Sequence, residues 1–327
     1  MKQVLFVSKG DNNPTTRYRI SPLADALSKS GTKVILTDSD LGLIGKTNLL
    51  LKAYNSDVVV IQRKLYGAFL LFLLDHCCKK LIFDFDDAIF LRSNGDPSPH
   101  RETRFHQIVS RCSQVWAGNS YLVNHATASG AQTVHFVPTV IDPSKYPQTS
   151  KASPDQVTLV WLGSSSTRKY LEQHRDILEA LGKAFPDIRL LVVSDFSFNL
   201  SHLQVDSVAW SEQAERSTLQ QADIGIAPME DNLWTQGKCA LKVLQYMAAG
   251  LPVVSSDVGA NAEVVEDGIT SFLASSKEEW ISAIGNLIAN SELRNSLGQT
   301  GRLRVENNYN SVQWTDQQIM WLAPLLE

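Results

Sequence analysis

The sequence predicts an α/β protein of two domains, each built on a parallel sheet. Three observations lead there. Short runs rich in branched and aromatic residues, such as VLFVS (residues 4–8), DVVVIQ (57–62) and TLVWL (158–162), alternate with segments of helical length and pattern. The run DVVVIQ is apolar throughout instead of alternating, as expected of a strand covered on both faces. A stretch punctuated by Pro143, Pro147, Ser150, Ser153 and Pro154 then separates one α/β series from a second, which reads as a linker. The boundaries expected are residues 1–147 for the first domain, 155–308 for the second, and 309–327 as a closing segment. A chain of 327 residues is long enough for two such cores.

Composition narrows the class. Hydrophobic residues make up 43% of the chain and charged ones 20%, which describes a soluble globular protein. Thirty basic against 34 acidic residues leave a net charge of −4, which gives no support for a nucleic-acid surface. The start of the chain reads as a strand, not a secretory leader, and the longest apolar run (68–74) is too short to span a bilayer. Four cysteines without C-x-x-C spacing point to a reduced, cytoplasmic protein, and His76-Cys77-Cys78 lacks metal-ligand spacing.

In the first half, the strand at 4–8 runs into a turn cluster from Lys9 to Pro14. A helix is expected over 17–29, with Ile20, Leu23, Ala24 and Leu27 inward, then a strand at 33–36. No G-x-G-x-x-G follows the first strand, so a dinucleotide cofactor is not indicated. Arg17 and Arg19 stand where cations oppose the helix dipole. Either an anionic ligand calls for them or they are plain surface charge. The segment 66–78 reads as a core helix on the sheet, in preference to a membrane anchor. The strand at 81–85 leads into Asp84, Asp86 and Asp87. Three carboxylates gathered at a strand end need partners. Asp86 or Asp87 is a candidate general base or hydroxyl-binding group. The alternative is that they cap a helix from Ala88 onward. Further elements are expected as a helix over 102–112, a strand over 114–117, a helix over 121–128 and a strand over 133–138.

The second half restarts with the strand at 158–162 and GSSSTRK (163–169). A Gly/Ser turn between strand and helix exposes backbone N–H groups that can cradle phosphate, with Gly163 and Ser164 in the turn and Arg168 and Lys169 beside it. The alternative is a hydroxyl-rich cap with solvated cations. A helix over 170–185 follows, then strands over 189–194 and 207–210, a helix over 212–222 and a strand over 224–227. Trp210 is a candidate neighbour of a bound base or a core residue. The loop MEDNLWTQ (229–236) feeds GKCALKVLQYMAAG (237–250), expected as a helix over 238–249 stopped by Gly250-Leu251-Pro252. On that helix Lys238, Lys242 and Gln245 share one face at spacings of four and three. Two lysines beside a helix N-terminus suit a diphosphate, and an ordinary solvated face is the alternative. A strand over 253–255, amphipathic helices over 277–289 and 293–305, and a final helix over 313–325 complete the chain.

QYMAAGLPVV (245–254) and GANAEVVEDG (259–268) resemble the C-terminal signature of retaining nucleotide-sugar glycosyltransferases of the GT-B fold. GNSYLVNHA (118–126) and VHFVPTVIDPSKY (134–146) resemble the end of the N-terminal domain in that family. The chain departs from the family where two glutamates are expected: the positions hold Gly237 and Gln245. The resemblance implies two Rossmann-like domains facing across a cleft, with the last helix crossing back to the first domain. It implies a nucleoside-diphosphate sugar as donor, bound by the second domain, and a saccharide or glycolipid acceptor bound by the first. Lys238 and Lys242 would hold the diphosphate with Arg168 or Lys169, and Gln245 the ribose. Trp234, Glu230 and Asp231 would border the sugar. Arg17, Arg19 and Asp84 would meet the acceptor, with Asp86, Asp87 and Lys242 as the catalytic groups. The D-x-D spacing of Asp84 and Asp86 resembles the metal-nucleotide site of a different transferase fold, which the rest of the chain does not fit. No metal or other cofactor is therefore expected. The implied role is surface-polysaccharide or glycolipid synthesis in the cytoplasm, with peripheral contact at the inner face of the membrane; the oligomeric state is left open. Three alternatives stand beside this: an inverting transferase with Asp86 or Asp87 as base, a nucleotide-sugar epimerase or hydrolase, and a non-catalytic sugar-nucleotide-binding protein.

Overall fold

A computed structural model describes residues 1–10, 13–148 and 156–327. The turn residues Asp11 and Asn12 and the linker residues Ser150, Ser153 and Pro154 lie outside the described residues. The strands are β1 (Gln3–Ser8), β2 (Lys33–Asp38), β3 (Val58–Gln62), β4 (Lys80–Phe85), β5 (Gln114–Ala117), β6 (Val134–Phe136), β7 (Thr158–Leu162), β8 (Arg189–Ser194), β9 (Gln204–Ala209), β10 (Ile224–Ala227), β11 (Val253–Ser256) and β12 (Phe272–Ala274). They form two six-stranded sheets, ordered β2-β1-β3-β4-β5-β6 and β12-β11-β10-β7-β8-β9. Every pairing between them is parallel.

Two compact units result. The first comprises Met1–Val140, Asn232–Cys239 and Ser311–Glu327; the second comprises Ile141–Asp231 and Ala240–Asn310. The sequence drew the first boundary at 147 and kept 232–239 in the second domain.

The uninterrupted apolar strands explain the layering. In the first unit Leu5, Val7, Val59 and Ile61 point into one core with Leu49, Leu71, Phe105 and Leu122. Their neighbours Val4, Phe6, Val58 and Val60 point into another with Leu23, Leu27 and Leu322. Successive side chains on a strand face opposite ways, so both faces are apolar because both are covered. In the second unit Leu159, Trp161, Leu190 and Val192 pack with Leu178, Leu181, Trp280 and Ile284. Strand order reverses between β1 and β3 in the first sheet and between β7 and β10 in the second. Parallel sheets present ligand sites at the carboxyl edge beside such a reversal.

Several expected helices differ. The helix over 17–29 is two, Pro14–Arg19 and Ser21–Lys29, each with a proline in its first positions. Proline suits a first turn and breaks an interior. Arg17 and Arg19 therefore lie in a last turn, where the helix dipole favours cations. The helix over 170–185 is also two, Arg168–Gln173 and Arg175–Ala184. Elements that went unforeseen include the helix Leu43–Tyr54, the short helix Leu233–Gln236 and the edge strand β12.

Candidate functional site

In the first unit, charge collects where β3 and β4 end. Arg19 and Asp84, with side chains 1% exposed, form a two-pronged ion pair in which Arg19 Nε and Nη2 donate to both carboxylate oxygens at 2.5–3.2 Å. Arg19 Nη1 also donates to Val137 O at 2.6 Å, and Gln62 Nε2 donates to Asp84 at 3.2 Å. Burial works against the Arg19 charge, but Asp84 and then Asp86 hold the guanidinium firmly protonated. This corrects the assignment of Arg19 and Asp84 to an acceptor. They are a sealed structural pair that ties the first helix to β4, and neither reaches solvent. Arg17 is half-buried and packs its guanidinium 4.8 Å from the ring centroid of its neighbour Tyr18.

One residue past β3, Arg63 takes a left-handed conformation at φ 57°. Its N–H donates to Asp84 O at 2.8 Å, which continues the β3–β4 ladder through the bend. Its side chain turns to the aspartates: Nε lies 3.3 Å from Asp86 Oδ1, and Nη2 pairs with Asp87 Oδ2. Lys238 Nζ reaches Asp87 Oδ1 at 2.9 Å, and its ammonium lies 5.2 Å over the Trp234 ring. Asp87 is thus clamped between two cations, while among the described residues Asp86 has only Arg63 at ion-pair distance. Burial raises the Asp86 carboxyl above its ordinary value; Arg63 opposes this and Asp87 adds to it. No helix starts at Ala88, so the aspartates are not its caps. Among the described residues, no group of three or more His, Cys, Asp or Glu is arranged to hold a metal ion.

The loop that brings Lys238 here is built locally. Asn232 and Thr235 form a capping box on a four-residue helix, Leu233–Gln236. Asn119 Nδ2 donates to Gln236 O and Lys238 O at 2.8 and 2.9 Å, and Cys239 Sγ approaches Asp86 O at 3.2 Å. Gly237 lies against Ala88: a Cβ there would sit 2.6 Å from Ala88 N and 2.7 Å from its Cβ. The position where the family pattern has a glutamate is closed to any side chain in this chain.

The expected helix over 238–249 is consequently shorter. It spans Leu241–Ala248, after Ala240 in a left-handed turn at φ 53°. Lys238 and Lys242 do not share a helix face: Lys238 belongs to the first unit, bound to Asp87, and Lys242 to the second.

In the second unit Lys242, in the first turn of that helix, lies with Nζ 4.5 Å over the Trp161 ring. No side chain caps the helix start. Gly163 lies over the same indole, where a Cβ would come within 2.0 Å of a ring carbon. The turn from Gly163 is largely self-satisfied. Gly163 N donates to Val193 O, Ser164 N to Thr167 Oγ1 and Ser165 N to Asp195. Those amides are not offered to a ligand in this conformation, contrary to the cradle expected from the sequence. Arg168 pairs with Glu172 at 3.1 Å, and Lys169 with Glu230 at 3.2 Å. Lys169 and Glu230 thereby join the helix that follows β7 to the loop after β10, across the reversal of strand order.

Gln245 is 3% exposed and does not line an open surface. Its Nε2 donates to the equally buried Glu215 at 2.7 Å. Tyr146 Oη at 3.2 Å and Trp210 Nε1 at 3.1 Å also donate to Glu215. The ribose role expected of Gln245 is thus replaced by an internal one, while Trp210 keeps an exposed indole anchored by its N–H. Reasoning from the sequence missed Arg63, Glu215 and Tyr146. Arg63-Lys64 directly after an apolar strand was the available signal for Arg63; Glu215 carried none beyond its place on a helix.

Residues 156–290 match the family model Glycosyl transferases group 1. Among curated proteins, Spore coat protein SA of Bacillus subtilis (strain 168) is 35% identical over 68 residues. That match spans 20% of this chain and 18% of the relative. Among solved structures, a glycosyltransferase from Rickettsia africae ESF-5 matches with a TM-score of 0.77 at 14% identity, covering 100% of this chain and 99% of that one. HepE from Anabaena, in complex with UDP and glucose, matches with a TM-score of 0.72 at 14% identity over 99% of both chains.

Proposed function

We propose that this chain, a GT-B-fold protein whose residues 156–290 belong to glycosyl transferases group 1, moves a sugar from a nucleoside diphosphate to an acceptor hydroxyl. The observation that carries the reading is Lys242, held in the first turn of Leu241–Ala248 over Trp161, within the matched segment. An ammonium beside uncapped backbone N–H groups stabilises the negative charge that grows on a departing diphosphate. It does so without a metal ion. UDP is the nucleotide favoured, because HepE of similar fold is described with UDP and glucose.

In the first unit, Asp87 is ion-paired with both Arg63 and Lys238. Its role would be to orient an acceptor hydroxyl of a saccharide or glycolipid. With no strong base assigned, the leaving phosphate takes the acceptor proton and the sugar is transferred with retention. Cytoplasmic surface-glycoconjugate synthesis fits such a reaction.

One observation favours a second reading. Burial raises the Asp86 carboxyl, which makes it a better proton acceptor than an ordinary aspartate and suits an inverting transfer. The anomeric configuration of the product separates the two. Lys242→Ala tests the shared premise: turnover should fall about 10²-fold or more with the donor still bound. Turnover near that of the unaltered chain would remove Lys242 from the mechanism.

A further inference from the structure

The helices Leu43–Tyr54 and Ala68–Cys77 follow β2 and β3 and pack on the same face of the first sheet, through Leu49 and Ala53 and through Leu71 and Leu74. Each also carries apolar residues on its outward side. At 100° per residue, Leu43, Ile44, Leu51 and Tyr54 fall within one arc of their helix, away from Leu49 and Ala53. Phe69 and Phe72 do the same on the next helix. These six side chains are 48–88% exposed. A soluble surface seldom gathers large apolar side chains in this way without a partner.

Residues 41–80 hold six lysines and arginines against two aspartates; Arg63, Lys64 and Lys79 are ion-paired within the fold, while Lys46 and Lys52 border the apolar arc on either side. The helix Leu43–Tyr54 has two lysines and no acid. Apolar anchors flanked by cations suit the interface of an anionic bilayer, where the rings enter the headgroup region and lysines meet lipid phosphates. No helix of the described residues is long and apolar enough to cross a membrane, so the contact would be peripheral. Both helices start at the carboxyl edge of the sheet, the edge that carries Arg63, Asp86 and Asp87.

We infer that this face docks the protein on an anionic lipid surface, through Leu43, Ile44, Phe69 and Phe72 with flanking lysines. The inference gives the membrane-borne acceptor of the proposed function a place to approach, but its test does not depend on catalysis.

The full chain is pelleted with vesicles of phosphatidylcholine containing about 30 mol% phosphatidylglycerol, and with phosphatidylcholine alone. Binding is expected to the anionic vesicles and to weaken with salt. Ile44→Asp with Phe69→Asp should lower it at least about tenfold. Lys46→Glu with Lys52→Glu should lower it with the circular dichroism spectrum unchanged. Neither pair should alter turnover of a water-soluble acceptor, since none of these residues lies in the reactive clusters. An unaltered chain that stays in the supernatant overturns the inference. So does equal binding to both vesicle types. A concentration-dependent dimer abolished by Ile44→Asp would assign the face to a second copy instead.

Discussion

Asp84, Asp86 and Asp87 lie within four residues of one another, yet their neighbours give them three different roles. Asp84 shares a sealed pair with Arg19, so Asp84→Asn strands a buried guanidinium. A loss of about 3–5 kcal/mol in stability is expected in urea unfolding. Asp86→Asn instead removes a carboxylate that burial already disfavours, and its stability at neutral pH should match or exceed that of the unaltered chain. If both variants unfold alike, the contrast between them is wrong. The sign for Asp86 follows from linkage. Its carboxyl is raised in the folded state, so above the ordinary value of about 4 the folded state holds more protons than the unfolded one. Its contribution therefore declines as pH rises from there through the raised value. Unfolding midpoints of the unaltered chain and Asp86→Asn, followed with pH, should diverge over that window in favour of the variant. The three carboxylates were legible in KLIFDFDD; their division of labour was not. It depends on Arg19, Arg63 and Lys238, which arrive from distant parts of the chain.

At the scale of elements, the turn from Asn232 to Ala240 decides where the lysines go. The sequence reads 238–249 as one helix because nothing in it is a strong breaker. Ala240 nevertheless adopts a left-handed turn, and Gly237 presses on Ala88. Contacts with Asn119 and the Asp86 backbone outweigh local helical preference, so Lys238 is drawn to Asp87. Gly237→Ala should test this packing. Its Cβ meets backbone atoms that cannot swing aside, and a destabilisation of about 1–3 kcal/mol is expected by calorimetry. An unchanged melting temperature would mean the loop is not held where it is described. The Gly163 turn carries a parallel lesson: its Gly/Ser composition was visible, but not that Val193, Thr167 and Asp195 already occupy its amides.

Across the whole molecule, the last helix, Ser311–Leu326, belongs to the first unit although it is last in sequence. Leu322 is fully buried among Val4, Phe6, Leu23 and Trp116. Removing residues 311–327 should uncover that core, raise binding of a hydrophobic dye and lower the melting temperature. If the shortened chain melts like the full one, that burial contributes little. A rise in melting temperature with UDP, absent with adenosine diphosphate, would support the nucleotide assigned to the second unit.

What the sequence determined by itself was local and periodic. Apolar strands and their alternation with helices specify two parallel α/β units, because side-chain period and turn chemistry act over a few residues, and the run from Gln245 to Gly268 carries the resemblance to GT-B glycosyltransferases. Only the tertiary structure decided the partners of charge. Arg63 with Asp86 and Asp87, Lys238 with Asp87, and Glu215 with Gln245 are separated by 24, 151 and 30 residues or thereabouts in sequence. Electrostatic interaction depends on distance and burial in space, which no local pattern in the chain records.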